Sequence, residues 1–511
     1  MTHRKDLCTI LDKFSLVLNA GDKAVIIGEE GNGKSTLLRY IFNPMLVDDY
    51  AECMGERILG KERLGYLPQE IPDEDAGKTL YEFFSNEEAF WNHTPKELAE
   101  YAREFSLDRN IFYSEQKIGT LSGGEKVKVQ LIRILMQSPT ALLLDEPSND
   151  IDIATLELLE EIICSWEGIV LFISHDETLI ENTANMVVHI EKIQRKTKPR
   201  FTVVHMPYKQ YVDERIHNFE RQEQQAYNDR REKKIRDKKY LKILQSVERA
   251  QEQASRKEPS VAKNLKDKMH AVKSMGRRFD REDENMTEMP EQEEAIFFKL
   301  GQKGNIIPNG KIVIELEIPE LFAIKTGDEQ DRVLSRNLFL RVKGSEKICI
   351  VGANGIGKTT LLRKIADILL ARRDIQAQYM PQNYEDSLDL DMTPVDYLDT
   401  TGDKEERTMI RTYLGSLKYT ADEMSHPIRE LSGGQKAKVL LLKMSLSKTN
   451  VLILDEPTRN FSPMSGSVIR KMIQEFPGAV ISISHDRKYI DEVCDTVYEL
   501  TKDGLVIKDP K

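Results

Sequence analysis

A fourteen-residue phrase occurs twice in this chain. "GEEGNGKSTLLRYI" at 28–41 returns as "GANGIGKTTLLRKI" at 352–365. Four further phrases follow it in the same order in both places. "GYLPQ" (65–69) is echoed by "QYMPQ" (378–382), and "LSGGEKVKV" (121–129) by "LSGGQKAKV" (431–439). "ALLLDEPSND" (141–150) returns as "VLILDEPTRN" (451–460), and "VLFISHDETLI" (170–180) as "VISISHDRKYI" (480–490). The offset is 310 residues for the last three phrases and 324 for Lys34 and Lys358, so the first copy holds a longer insert before Ser122. Repetition at fixed spacing means one structural unit used twice, and 511 residues exceed a single ordinary core.

Each copy places G-x-x-x-x-G-K-[ST] between an apolar, strand-like run ("KAVIIG", "KICIVG") and a helix-like one ("STLLRYI", "TTLLRKI"). This is the context of a phosphate loop. Gly28, Gly31 and Gly33, with Gly352, Gly355 and Gly357 in the second copy, let backbone N–H groups wrap phosphate oxygens. The following helix, entered through Thr36 and Thr360, offers its positive N-terminus. Lys34 and Lys358 are expected to reach the β- and γ-phosphates of ATP, and Ser35 and Thr359 to ligate Mg²⁺.

Four apolar residues followed by Asp-Glu read as a buried strand delivering Asp145 and Asp455 to the magnesium side. Glu146 and Glu456, one residue on, are placed to polarise the attacking water. His175 and His485 stand 29 residues after those glutamates, each at the end of an apolar run, and read as catalytic contacts to the γ-phosphate. Gln69 and Gln382, each after a proline, are candidate ligands to the metal or its water.

The stretch between the copies differs in kind. From 215 to 257 it has no Gly or Pro and is rich in Arg, Lys, Glu, Gln and Ala, all good helix formers. A thin apolar stripe (Phe219, Tyr227, Ile235, Tyr240, Leu244, Val247) runs along it at helical spacing. "KEPS" (257–260) breaks the pattern and a second helical run follows to 282. The expected architecture is therefore α/β: two P-loop domains, 1–205 and 296–511, joined by a long antiparallel helical hairpin at 206–295. Charge separates in the same way. Residues 230–281 hold 18 Lys+Arg against 7 Asp+Glu, in a chain whose total is −11. A basic segment between acidic bodies points to phosphate-backbone contact there.

Several classes are set aside. No run of about 18 apolar residues predicts a transmembrane helix, and "MTHRKDLCTILDKF" has no signal-peptide pattern. The five cysteines (8, 53, 164, 349 and 494) are scattered singly, which fits a reducing cytoplasm and neither a disulfide framework nor a metal cluster.

The motif set resembles the ATP-binding cassette ATPases, whose signature is the Leu-Ser-Gly-Gly phrase. That resemblance implies a head-to-tail sandwich within one monomer. Ser122, Gly123 and Gly124 would close over the nucleotide held by Lys358, and Ser432, Gly433 and Gly434 over that held by Lys34. ATP would join the cassettes and hydrolysis release them.

Tandem cassettes with a long charged helical linker and no membrane segment further resemble the ABC-F family, soluble ATPases of the ribosome. By that resemblance the ATP-bound form sits in the tRNA exit site with its linker directed to the peptidyl-transferase centre. Arg256, Lys257, Lys263, Lys266, Lys268, Arg277 and Arg278 would then meet ribosomal RNA or tRNA. "RNFSPMSG" (459–466) follows the second Asp-Glu pair, where the first copy has "NDID" (149–152). This variant resembles bacterial members that protect ribosomes against lincosamides, pleuromutilins and streptogramin A. His3 lies near the place of the family's adenine-stacking aromatic, and Phe322 is its counterpart in the second copy. The alternative is a double-cassette subunit energising a membrane importer, a class whose cassettes are joined by a short connection.

Overall fold

The computed structural model describes residues 1–5, 7–149, 151–193, 198–253, 259–284, 286–287, 300, 307–323 and 333–508. Met1–Tyr208 with Glu293–Lys511 forms one compact unit, and Lys209–Gln292 a second.

The first unit is built on two six-stranded sheets of the same topology. In the first cassette the strands lie in the order Leu64–Leu67, Ala141–Asp145, Ile169–Ile173, Lys23–Ile27, Met186–Ile193, Lys198–Val204. All neighbours are parallel except the last pair, which is antiparallel. The second cassette repeats the order with Ala377–Met380, Val451–Asp455, Ala479–Ile483, Lys347–Val351, Thr496–Thr501 and Gly504–Lys508.

Parallel strands covered on both faces need unbroken apolar runs. "ALLLD" and "VLILD" are buried at every position, their terminal aspartates included. The strands Lys23–Ile27 and Lys347–Val351 sit inside their sheets, and the helices Lys34–Phe42 and Lys358–Leu370 follow the loops at their carboxyl ends. Ligands of open α/β sheets bind at that edge.

The copies differ in their accessory strands. Ile312–Phe322 and Val333–Lys343 form a long antiparallel ribbon in the second cassette. In the first, Thr2–His3 pairs with Ala51–Glu52.

The second unit is a helical hairpin of Tyr208–Gln253 and Pro259–Glu284. At about 1.5 Å per residue the longer helix extends about 70 Å. The two helices run antiparallel. Gln251 Nε2 donates to the Leu265 carbonyl at 3.2 Å near one end, while Lys233 meets Asp283 at 2.8 Å near the other. Between them the Arg236 guanidinium lies 4.7 Å above the Phe279 ring. Gly276 gives the Tyr240 ring its room, since a Cβ there would stand 2.6 Å from the tyrosine hydroxyl. No helix among the described residues is long and apolar enough to cross a membrane.

Candidate nucleotide sites

Both phosphate loops are wound by glycines in the left-handed region, at φ 78° and 83° for Gly31 and Gly33 and 76° and 105° for Gly355 and Gly357. A side chain at Gly28 would collide with the Ile190 carbonyl, and one at Gly352 with that of Leu500. Each loop thus rests against the neighbouring strand, and glycine is required there. Lys34 Nζ donates to the Gly28 and Glu29 carbonyls at 2.9 and 3.0 Å. Lys358 does the same to Gly352 and Ala353 at 2.8 and 3.1 Å.

The Asp-Glu pairs stand beside these loops. Ser35 Oγ donates to Asp145 at 2.8 Å, and Thr359 bonds Asp455 in the second copy. Glu146 and Glu456 both hold positive φ, 50° and 52°. That conformation is uncommon for a side-chain-bearing residue and marks both positions as strained in the same way. No residue pattern in the sequence announced it.

Around the first glutamate, Gln69 donates from 3.1 Å and His175 Nε2 lies 3.3 Å away. His175 Nδ1 is 2.7 Å from the Phe461 carbonyl of the other cassette. Burial alone would raise the Glu146 pKa. The hydrogen bond and charge of His175, with Lys34 and Asn149, overcome it and bring the carboxyl down to about 2. The second glutamate is placed otherwise. Glu456 accepts from the His485 backbone at 3.3 Å, and the imidazole stands off at 3.8 Å. Burial and the nearby Asp455 charge push Glu456 up to about 8. Burial, with the Lys358 charge, lowers His485 to about 4.

The cassettes meet so that each signature faces the other's phosphate loop. A cleft of about 710 Å³ is lined by Lys358, Thr359, Thr360, Gln382, Asp455, Glu456 and His485 from one cassette and by Ser122 and Gly123 from the other. Gly355 and Gly357 line it too, whereas Gly124 packs toward Thr155. A second cleft, of about 420 Å³, gathers Gly31, Gly33, Lys34, Ser35, Thr36, Gln69, Glu146 and His175. Ser432 and Gly434 line an adjoining recess with Glu30 and Gly31. Gly433 lies beside Gln382 in another recess.

Both signature serines cap their helices, Gly123–Met136 and Gly433–Leu446, through reciprocal bonds with Glu125 and Gln435. Glu30 was not anticipated. Its carboxylate accepts from the Gly434 backbone N–H at 2.7 Å, the anion-favouring end of a helix.

His3 lines the second cleft together with Tyr50, which the sequence did not single out. Phe322 is exposed, and its neighbours Ala323 and Leu334 line the larger cleft instead.

The residues present fit a magnesium-bound triphosphate. Asp455 Oδ2 is buried with no hydrogen-bond partner among the described residues, as is His485 Nδ1. Burial raises Asp455 to about 6 despite its Thr359 bond and the Lys358 charge, and a hard cation satisfies such an oxygen.

On the hairpin, Lys263, Lys266, Lys268, Arg277 and Arg278 are exposed. Arg256 and Lys257 lie outside the described residues. Arg277 lies about 27 Å along the second helix from its start, away from the "KEPS" break. Arg278 is paired there with Glu282 at 3.0 Å.

Among known families, the model described as ABC transporter matches residues 11–149 and 335–459. The putative ATP-binding protein YdiF of Bacillus subtilis (strain 168) is 27% identical over 547 aligned positions, covering 97% of this chain and 78% of its own length. The ribosome protection protein VmlR of the same bacterium is 26% identical over 510, covering 97% and 85%. Among solved structures, archaeal ribosome recycling factor aABCE1, in complex with the ribosomal stalk protein aP1, matches with a TM-score of 0.55. That likeness covers 96% of this chain and 86% of the other at 18% identity, and it is one of fold.

Proposed function

The chain belongs to the ABC transporter family as a tandem-cassette ATPase of the ABC-F type, and from that premise we propose that its ATP-bound, closed form binds the bacterial ribosome. In this reading the hairpin acts near the peptidyl-transferase centre and protects the ribosome from antibiotics bound there.

The observation that carries it is the pairing of Ser122 and Gly123 with Lys358 in one cleft, within a chain whose linker is a basic helical hairpin about 70 Å long. The first makes cassette closure the direct consequence of nucleotide binding. The second gives closure something to deliver to RNA. Lys34 and Lys358 hold the β- and γ-phosphates. Ser35, Thr359, Asp145 and Asp455, with Gln69 and Gln382, hold Mg²⁺, which supplies charge neutralisation on the phosphate oxygens. Glu146 orients the attacking water at the first site as an ionised base, and Glu456 does so at the second once it has lost its proton. The hairpin's exposed lysines then meet phosphate backbone, contacts that weaken with salt and carry little sequence preference. The importer alternative leaves this hairpin without a partner, and no described feature favours it.

The Glu146→Gln, Glu456→Gln double variant is expected to bind ATP, remain closed and co-sediment with bacterial ribosomes through a sucrose cushion only when ATP is present. A double variant that stays in the soluble fraction with ATP contradicts the ribosome reading. The protective role is read separately, from growth of a susceptible bacterium expressing wild type or Lys263→Ala with Lys266→Ala against a panel of peptidyl-transferase drugs. Wild type should raise the tolerated concentration and the variant should lose that gain with its ATPase activity intact.

A further inference from the structure

At the edge of the larger cleft, whose lining includes Asp176, Glu177 and Arg470, the cassettes are joined by ion pairs that no motif predicted. Glu177 of the first meets Arg470 of the second at 2.7 Å, with side chains only 8% and 3% exposed. Glu160 and Asp176 of the first both meet Arg487 of the second, the latter at 3.3 Å. Lys488 adds contacts to Glu181 at 2.6 Å and to Glu177 at 3.2 Å. Every acid in this set comes from the first cassette and every base from the second.

The 310-residue offset gives that division its meaning. It makes Glu160 the counterpart of Arg470 and Glu177 the counterpart of Arg487. The contacts Glu177–Arg470 and Glu160–Arg487 are therefore the same contact, seen twice about the pseudo-two-fold axis that relates the cassettes. A true two-fold pairing of two first cassettes would set Glu160 against Glu177 on both sides. A pairing of two second cassettes would set Arg470 against Arg487. Only the unlike pairing neutralises both contacts. A buried ion pair adds little stability over an apolar substitute, yet a like-charged one is strongly disfavoured. Its value lies in choosing between partners.

We infer that this central charge cluster is a partner-selection surface: each cassette accepts the opposite-charged cassette of its own chain and rejects a like copy from a second chain. The two cassettes share their signature and phosphate-loop motifs, so those motifs alone do not distinguish a like cassette from an unlike one. The inference is independent of the ribosome reading and concerns only which cassettes close on each other.

The test uses the full chain. Glu160→Arg with Glu177→Arg makes both faces basic, and Arg470→Glu with Arg487→Glu makes both acidic. Each double variant alone is expected to remain a folded monomer, by thermal melting and sedimentation, with ATP turnover lowered at least about tenfold. The quadruple charge swap should recover turnover to within about threefold. The two double variants mixed in equal amounts with ATP should sediment as a dimer and regain activity, because their faces are complementary only between chains. Wild-type turnover in both double variants overturns the inference. So does a folded quadruple swap as inactive as the doubles. Arg470 also bonds Glu492 at 2.7 Å within its own cassette. Should the acidic variant fail to fold, the Arg487 contact is swapped alone: Glu160→Arg should lower turnover and Glu160→Arg with Arg487→Glu should recover it, and a folded swap no more active than Glu160→Arg counts against the inference.

Discussion

The two nucleotide sites carry the same Asp-Glu pair with a histidine 29 residues on, and hold these groups in opposite electrostatic states. At the first, Glu146 is bonded by His175, Gln69 and Asn149 and ionised down to about 2. At the second, Glu456 is buried beside Asp455 with its histidine withdrawn, and keeps its proton up to about 8. A duplicated motif fixes which groups are present. It does not fix which of them are charged, because charge depends on how far a partner has been drawn in and how much water is left.

The largest expected effect separates the sites directly. In single-turnover hydrolysis at pH 7, Glu146→Gln should abolish a fast phase, a loss on the order of 10²-fold or more in that phase. Glu456→Gln should remove only a slower phase. Equal loss of both phases in either variant would break the comparison.

Stability sharpens it in the other direction. Between about 4.5 and 8 the folded chain binds a proton at Glu456 that the unfolded chain has released. This contribution to stability therefore declines as pH rises through that window and is lost above it. Removing the charge with Glu456→Gln should raise the melting temperature relative to wild type at pH 9, with a gain of about 2–4 kcal/mol that vanishes by pH 5. Glu146 has the reverse sign. Its lowered pKa stabilises the fold above about 4.5, and that stability disappears as pH falls toward 2. Glu146→Gln should accordingly melt below wild type at pH 7 and approach it in acid. Melting curves of the two variants across pH check both signs.

Much of the fold could be read in advance for a physical reason. Strands covered on both faces must be continuously apolar, so "ALLLD" and "VLILD" declared themselves. A long segment without Gly or Pro, dense in helix formers, could be little else but helix. The phosphate loops were legible because their chemistry is local, with glycine, lysine and hydroxyl within eight residues. What escaped is what the chain brings from far away. Glu30 and Gly434 are 404 positions apart, and their bond exists only because the cassettes pair. The same holds for His175 and the Phe461 carbonyl. Tyr50 enters its cleft from a turn with no motif around it.

The smallest effect concerns the loops themselves. Glu30 occupies the position that Asn354 holds in the second cassette, and its carboxylate lies on the helix end at Gly434. A bound triphosphate must compete with that anion at the first site. Glu30→Asn should tighten binding of a slowly hydrolysed ATP analogue there about tenfold, roughly 1.4 kcal/mol, and leave the second site unchanged. Calorimetric titration resolves the two affinities.

The unequal charge of the two catalytic glutamates is tested most directly by the pH dependence of single-turnover hydrolysis in the wild-type chain. Two phases are predicted, a fast one level from pH 6 to 9 and a slow one whose rate climbs on the order of 10²-fold over that range as Glu456 loses its proton. A single phase, or two phases that rise together with pH, would contradict it.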